Sequence, residues 1–291
     1  MKKDKRHVEN DEPKVTVGLP TYNRAELLPD CVKSVLGQSY SNWELIISDD
    51  NSTDKTPEVA RTLMKLDNRI KYHRQGTRTF LPGNRNTICS LATSDLIFFI
   101  EDDLILDNHC ISALIKSYQT LSTSHRIATI VPRMVTTREV TPGNTVEKGD
   151  EIVSFDKWTG LVRPRFDVSP RTPVSIQTGH ACSLISKEAW RETGGYEENR
   201  YGGTNFREET DFYFRARQKG WEVYFEPGAI IHHLRHDIGG CRSSSRLKDD
   251  YYYTRNHILF VLRFFKLKSI YMIPSFILYL LGRAIRRVFS R

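Results

Sequence analysis

Short β-rich runs alternate with stretches of helical periodicity over the first 130 or so residues of the chain. The runs at 15–19, 43–48, 70–73 and 96–100 predict strands, each closed by polar or turn-forming residues. Between the first two, Leu27, Leu28, Cys31, Val32, Val35 and Leu36 recur at helical spacing, and Gly37 stops the pattern, which predicts a helix over 25–37. Residues 57–66 and 84–91 predict two more helices. Strands and helices alternating at this spacing indicate a parallel sheet with crossover helices, and ligands of such sheets bind beyond the C-terminal strand ends. Three polar segments share that edge: Pro20-Thr-Tyr-Asn23, Asp49-Asp50 and Glu101-Asp102-Asp103.

Beyond a helix predicted over 108–121 and a strand over 127–131, the regularity fades. Residues 136–178 are rich in Pro, Gly, Thr and charge, and predict a small irregular subdomain or a surface excursion. Order returns with a strand over 181–185 and a helix from Lys187 that ends at Gly194-Gly195-Tyr196. A second helix follows Arg207 and stops at Gly220, and a strand is predicted over 228–231. Past Pro274, Ile277, Leu280, Leu281, Ala284 and Val288 fall on one helical stripe, with Arg283, Arg286 and Arg287 largely off it. The apolar stretch 269–281 is shorter than the ~20 residues a bilayer crossing needs. It predicts an interfacial amphipathic helix suited to an anionic membrane surface, or else a helix docked on the protein's own core.

Charge sharpens that reading. Of the formal net charge of +8, seven basic residues and no acidic one lie between 263 and 291; the rest of the chain holds 36 basic against 35 acidic residues. A nearly neutral body lacks the basic face expected of a nucleic-acid binder. The five cysteines are scattered, without a C-x-x-C pair, which fits a reducing cytoplasm. No apolar segment follows the basic start of the chain, so residues 1–13 read as a disordered lead-in rather than a signal peptide.

The acidic triplet is the strongest chemical feature. Three adjacent carboxylates repel one another, and partial burial worsens the repulsion unless a cation neutralises it. Hard oxygen donors of this kind suit Mg or Mn shared with substrate phosphates; an acidic surface turn is the plainer alternative. Arg207-Glu-Glu-Thr-Asp211 opens a helix, where acids are favoured by the dipole. The acids there exceed what capping needs, and a carboxylate projecting into a cleft is a general-base candidate. At α spacing Glu208 and Asp211 share a face, and Glu209 is turned away from both. His232 and His233 are adjacent on a predicted strand, so at most one of them faces the crevice, where an imidazole suits Mn.

In order and spacing, segments 17–24 (Val-Gly-Leu-Pro-Thr-Tyr-Asn-Arg), 45–54 (Leu-Ile-Ile-Ser-Asp-Asp-Asn-Ser-Thr-Asp), 83–86 (Gly-Asn-Arg-Asn), 101–103, 194–196, 207–211 and 227–233 resemble the family 2 glycosyltransferases. The resemblance covers roughly residues 14–234. It implies the GT-A fold, an α/β architecture with a mostly parallel central sheet flanked by helices, an irregular acceptor-side region and a C-terminal helical tail. It also implies a nucleotide-sugar half over 14–135, an acceptor and catalytic half over 136–250 and a tail over 251–291. Pro20, Tyr22 and Asn23 would line the nucleotide pocket, Asp49 would accept from the base or ribose with Asp50 behind it, and Arg85 would face the nucleotide or diphosphate. Asp103, with Glu101 and His233, would hold a divalent cation (Mn or Mg), and Asp102 would lie toward the ribose. Glu209 matches the family's base by position, with Glu208 and Asp211 beside it. Two departures stand out: the first acid of the metal motif is Glu rather than Asp, and the usual Glu-Asp of the catalytic motif is Glu208-Glu209.

The implied reaction is a single displacement that moves a sugar, with inversion, from a nucleotide-diphosphate sugar to a glycan or lipid-linked acceptor. The implied location is the cytoplasm, peripheral on the membrane face, with no nucleic acid involved. A sugar-phosphate nucleotidyltransferase would open on a Gly-rich phosphate loop, which Pro20-Thr-Tyr-Asn23 is not. A catalytically silent nucleotide-sugar-binding or scaffold protein is the alternative from another class.

Overall fold

Val15–Thr21 (β1), Trp43–Asp49 (β2), Ile70–Arg74 (β3) and Leu96–Phe99 (β4) form the parallel start of one nine-stranded sheet, and Leu28–Leu36 (α1), Thr56–Leu63 (α2) and Phe80–Leu91 (α3) connect them. The computed structural model describes residues 12–136, 146–234 and 245–289, with side chains through 286. The predicted lead-in through residue 11, part of the irregular region and Cys241 lie outside the described residues. β1, β2 and β4 are buried along their whole length. Both faces of each strand are therefore covered, and the polar side chains caught inside are paired, as Glu44 is with Thr16 and Lys71. Val15, Val17, Leu19, Leu45, Ile47 and Phe98 point to the core shared with α1 and α2, while Ile46, Ile97 and Phe99 point to the opposite core with α3. Gly18 is what lets α3 approach β1, because a Cβ there would lie 2.7 Å from the Ile88 side chain.

Downstream the chain adds Leu104–Leu106 (β5), Cys110–Leu121 (α4), Ile127–Val135 (β6), Gly149–Ile152 (α5), Val153–Phe155 (β7), Val162–Pro164 (β8), Val174–Ser175 (β9), Leu184–Ser186 (β10), Lys187–Thr193 (α6), Glu208–Gln218 (α7), Glu222–His233 (β11), Arg246–Phe265 (α8) and Ser269–Phe289 (α9). The strand order is β3-β2-β1-β4-β10-β6-β11-β5, with β9 on β11. β10 is antiparallel to β4 and β6, and β5 and β9 are antiparallel to β11. The sheet is thus mixed and mostly parallel.

Two departures from the periodicity bear on function. The acidic triplet does not lead from a strand straight into a helix: it forms the turn between β4 and the short β5, which pairs back onto β11 and sets His233 opposite Leu104. β11 is also much longer than the predicted 228–231, running from Glu222 through a register shift between Glu226 and Ile230. Pro227, which cannot donate to the ladder, sits inside that irregularity. The irregular 136–178 region contains the β7–β8 hairpin and the short α5 among its described residues.

The C-terminal helices are docked on one face and bare on the other. Asn256, His257, Phe260 and Val261 of α8 and Met272 and Phe276 of α9 are buried. Ile270, Leu278, Leu281 and Ile285 are exposed by 55–73%. The run Arg246–Arg286 also holds an 18-residue window of mean hydropathy 1.4, long and apolar enough to cross a membrane by length and composition alone. Helix α9 extends well past the apolar stretch at 269–281, so length does not limit it as the hydropathy pattern suggests.

His257 shows how closely α8 is fitted to the body. A guanidinium only donates, so Nδ1 of His257 accepts from Arg207 (2.9 Å) and its Nε2–H donates to the Thr159 carbonyl (2.7 Å). Burial pushes this imidazole down to about 3, with Arg207 adding to the effect. An unfolded histidine titrates near about 6.5. Between those values the unfolded chain binds the extra proton, so stability is lost as the pH falls from about 6.5, at up to ~1.4 kcal/mol per pH unit from this group. Urea midpoints for His257→Gln are expected to fall less between pH 7 and pH 5 than those of the parent. Equal losses would remove His257 from the acid response.

Candidate active site

Each polar strand end is shaped by its own loop. After β1, Asn23 takes the left-handed conformation (φ 53°), accepts from the Thr53 amide (2.8 Å) and donates its own amide to Ser52 Oγ (2.9 Å). Pro20 is buried at the strand end, and Tyr22 is half-buried with the Arg78 guanidinium 3.7 Å over its ring. After β2, Asp49 is fully buried and accepts from the Ser52 amide (2.8 Å) and the Tyr72 hydroxyl (2.7 Å). Asp50 accepts from the Thr79 and Phe80 amides (2.6 and 3.0 Å), and burial raises its carboxyl despite these bonds. Both aspartates therefore already brace the loops between β1, β2 and α3. These bonds leave little of either carboxylate open to a ligand, a state that no local pattern reveals.

The triplet splits into three environments. Asp102 is buried, accepts from Thr21 Oγ1 (2.9 Å) and lies 3.5 Å from Arg24 Nε; desolvation pushes it up to about 7. Asp103 lies 3.6 Å from Nε2 of His233 and 4.0 Å from Arg24. Burial alone would raise Asp103, but His233 and Arg24 hold it below the usual carboxylate value. Its Oδ1 is buried without a hydrogen-bond partner among the described residues. Glu101 lies 3.8 Å from Arg85 Nη2 and is raised by desolvation in the cleft. Arg24 belongs to the 17–24 motif yet carries no signal of its own. Only the fold reveals that it lies between Asp102 and Asp103.

Arg85 does not project into the open crevice. It is buried to 1% beneath it, bonded through Nη1 to Glu208 Oε1 and packed on the rings of Phe99 and Tyr196. Glu208 is equally buried; desolvation pushes its carboxyl up, and the permanently charged guanidinium opposes this. Glu209, one residue on, is half-buried and accepts no hydrogen bond among the described residues. The two carboxylates begin α7 directly after Arg207, which lies in the left-handed region (φ 85°) and whose guanidinium donates to the Gly160 carbonyl and to His257. Asp211 on the next turn is fully buried and spent on Tyr201, Arg215 and Arg263. It anchors α7 to α8 and does not line the cleft. Gly195, also at positive φ, lets Asn86 Oδ1 accept from the Tyr196 amide and the Trp190 indole, which ties α6 to α3 behind Arg85.

A cavity of about 1080 Å³ is lined by Glu101, Glu208 and Glu209 together with residues of α8 and α9; Tyr22, Asn23, Asp102 and Asp103 are outside its lining. Of the two histidines, His233 approaches Asp103, while His232 lines a separate cavity beside Asp30 and Lys33. Among the described residues no group of three His, Cys, Asp or Glu side chains is assembled as a metal cage. The donors present still fit a hard cation: a carboxylate with an unpartnered buried oxygen stands beside an imidazole. Mg-type sites commonly need only one or two protein carboxylates, the rest of the shell coming from phosphates and water.

A model of the family described as Glycosyl transferase family 2 matches residues 16–194. The glycosyltransferase EpsE of Bacillus subtilis is 40% identical over 221 residues, which is 74% of this chain and 70% of its own. A GalNAc(5)-diNAcBac-PP-undecaprenol beta-1,3-glucosyltransferase of Campylobacter jejuni is 38% identical over 109 residues, 36% of this chain and 34% of its own. The glycosyltransferase GlyG of Streptococcus pneumoniae is 31% identical over 105 residues, 36% of this chain and 35% of its own. The chain thus spans about a third of the length of these last two relatives. The crystal structure of GalNAc-T7 with UDP, GalNAc and Mn2+ superposes with a TM-score of 0.67 over 87% of this chain and 48% of that one, at 16% identity. That likeness carries the fold alone. With the family match covering more than half the chain and a relative 40% identical over 74% of it, the chain belongs to the family 2 glycosyltransferases, on a GT-A fold.

Proposed function

We propose that this glycosyltransferase moves a sugar from a nucleotide-diphosphate sugar to an acceptor hydroxyl during assembly of a bacterial surface polysaccharide, with inversion at the anomeric carbon. One observation carries the reading: a single cavity brings Glu209, half-buried and without a hydrogen bond among the described residues, alongside Glu101 just beyond the end of β4. Glu209 removes the proton from the attacking hydroxyl, while Glu208, tied to Arg85, holds the start of α7 in place. Tyr22 and Asn23 border the nucleotide, Asp49 and Asp50 keep its loops in shape, and Asp102 lies toward the ribose. Asp103 and His233, with Glu101 nearby, would hold a divalent cation, Mn or Mg. When bound, such an ion supplies positive charge where the leaving diphosphate develops negative charge. The Mn2+ and UDP of the GalNAc-T7 structure support that choice.

A lipid-linked acceptor at the cytoplasmic membrane face is supported by two relatives, the Campylobacter enzyme and the Escherichia coli UDP-Glc:alpha-D-GlcNAc-diphosphoundecaprenol beta-1,3-glucosyltransferase WfgD, 34% identical over 93 residues. The exposed apolar face of α9 supports it independently.

The test is nucleoside diphosphate release from a panel of UDP-, GDP- and dTDP-sugars with Mn or Mg. One donor class is expected to turn over, and EDTA or Asp103→Ala to stop it. No release from any donor, with or without a membrane extract as acceptor source, would leave the silent scaffold standing. A product of retained anomeric configuration by NMR would remove the inversion.

A further inference from the structure

Acceptor oxygen must reach Glu209, so whatever else the acceptor carries extends along the remaining walls of the same cavity. Those walls are chemically divided. Asp249 and Asp250 of α8, with Thr204 and Asn205, form a polar sector suited to sugar hydroxyls. The α9 wall consists of Ile277, Leu280, Leu281 and Ala284, with Arg283 among them. A purely saccharide acceptor would leave that wall facing hydroxyls it cannot pair, at a desolvation cost. We infer that the α9 wall is the subsite for the lipid-diphosphate end of a membrane-borne acceptor: Arg283 takes the diphosphate, and Ile277, Leu280 and Leu281 take the first isoprenoid-like units. The inference rests on the transfer reading above and deepens it by assigning residues to the acceptor's carrier.

Three further observations commit the wall to a lipid phosphate. The apolar surface does not stop at the cavity but continues outside it over Ile270, Leu278 and Ile285, so a chain entering along α9 stays on apolar surface. A cation stands on the α9 wall itself: Arg283 is the basic side chain among the described lining residues, and the carboxylates of that lining (Glu101, Glu208, Glu209, Asp249 and Asp250) belong to other elements. The space is that of a small-molecule segment, at 1080 Å³, and not of a folded partner. The predicted stripe of Ile277, Leu280, Leu281 and Ala284 is thus the cavity wall itself, and Arg283, which periodicity places off the stripe, lines it as well.

The test uses the purified 291-residue chain in dodecyl maltoside with EDTA, titrated with geranylgeranyl diphosphate, geranylgeraniol and inorganic pyrophosphate. Geranylgeranyl diphosphate is expected to bind at least about tenfold tighter than either half of the molecule, as a charge-assisted contact added to apolar burial requires. Leu281→Glu is expected to weaken it at least about tenfold, because a buried carboxylate replaces an apolar contact. Arg283→Gln is expected to erase the advantage of the diphosphate over the alcohol. Both positions are exposed in the free protein, and circular dichroism melting checks that each variant is folded. Affinities unchanged by both substitutions, or equal for geranylgeranyl diphosphate and geranylgeraniol, would overturn the subsite. Donor turnover by the parent chain, measured without lipid, is read separately. Turnover without lipid-diphosphate binding sinks this inference alone. Binding without turnover of any donor sinks the transfer reading and leaves the subsite in place.

Discussion

Glu209→Gln is expected to lower sugar transfer by about 10²–10⁴-fold, the usual contribution of a positioned base, while affinity for the nucleoside diphosphate stays within about twofold of the parent. The amide keeps the size and most of the polarity of the side chain but cannot take the acceptor's proton. Glu209 suits this experiment because it is half-buried and makes no hydrogen bond among the described residues. Its replacement therefore disturbs little besides the chemistry. Calorimetric titration of the nucleoside diphosphate, beside initial transfer rates, separates binding from turnover. Near-normal transfer by Glu209→Gln would move the base to Glu208, the adjacent carboxylate that also lines the cavity.

The second large effect concerns stability. Arg85 and Glu208 are each exposed by only 1% and bonded to one another. Removing one partner of such a pair strands the other charge in the interior, which costs about 3–5 kcal/mol. Against a total of about 5–15 kcal/mol for a typical domain, Arg85→Ala is expected to bring the chain close to unfolding under mild denaturant, and Glu208→Ala to do nearly as much. The double replacement Arg85→Met with Glu208→Leu is expected to recover most of the loss, since apolar residues of similar volume satisfy the same space without stranded charge. Urea unfolding of the four proteins shows whether the apolar pair restores what either truncation loses. Single losses below about 1 kcal/mol would mean that the pair is solvated and that Arg85 is open to the donor, as its motif alone suggests. Any loss of activity in Glu208 variants has to be judged against this stability term, a complication Glu209 does not share.

Much of the donor half is legible in the chain because it is built from strands buried on both faces. A continuous apolar run such as 96–100 has few alternatives of that length, and the residues closing it mark the sheet edge. The antiparallel pieces are harder. β5 and β10 are three residues each and owe their existence to partners far away in sequence, β11 for one and β4 and β6 for the other. The hairpin β7–β8 is equally local and equally faint, with Asp156 accepting from the Trp158 and Thr159 amides to form its turn. At the site, residue types were readable and their states were not. Nothing near Asp49 in sequence announces that Tyr72 donates to it, and nothing near Asp211 announces Arg263.

Sequence by itself determined the strand–helix alternation, the polar strand ends at residues 20–23, 49–50 and 101–103, the carboxylates that open α7 and the basic, acid-free C-terminus. These are properties of segments, set by side-chain period and composition within a few turns of chain. Only the tertiary structure decided how the acids differ. Glu208 is neutralised by an arginine 123 residues away and Asp102 is raised to about 7 by burial. Glu209, beside Glu208 in the chain, makes no side-chain hydrogen bond among the described residues, and the C-terminal helices line the cavity with it. The physical reason is the same in each case. Burial and ion pairing depend on which surfaces meet, and two adjacent residues on a helix face different surfaces.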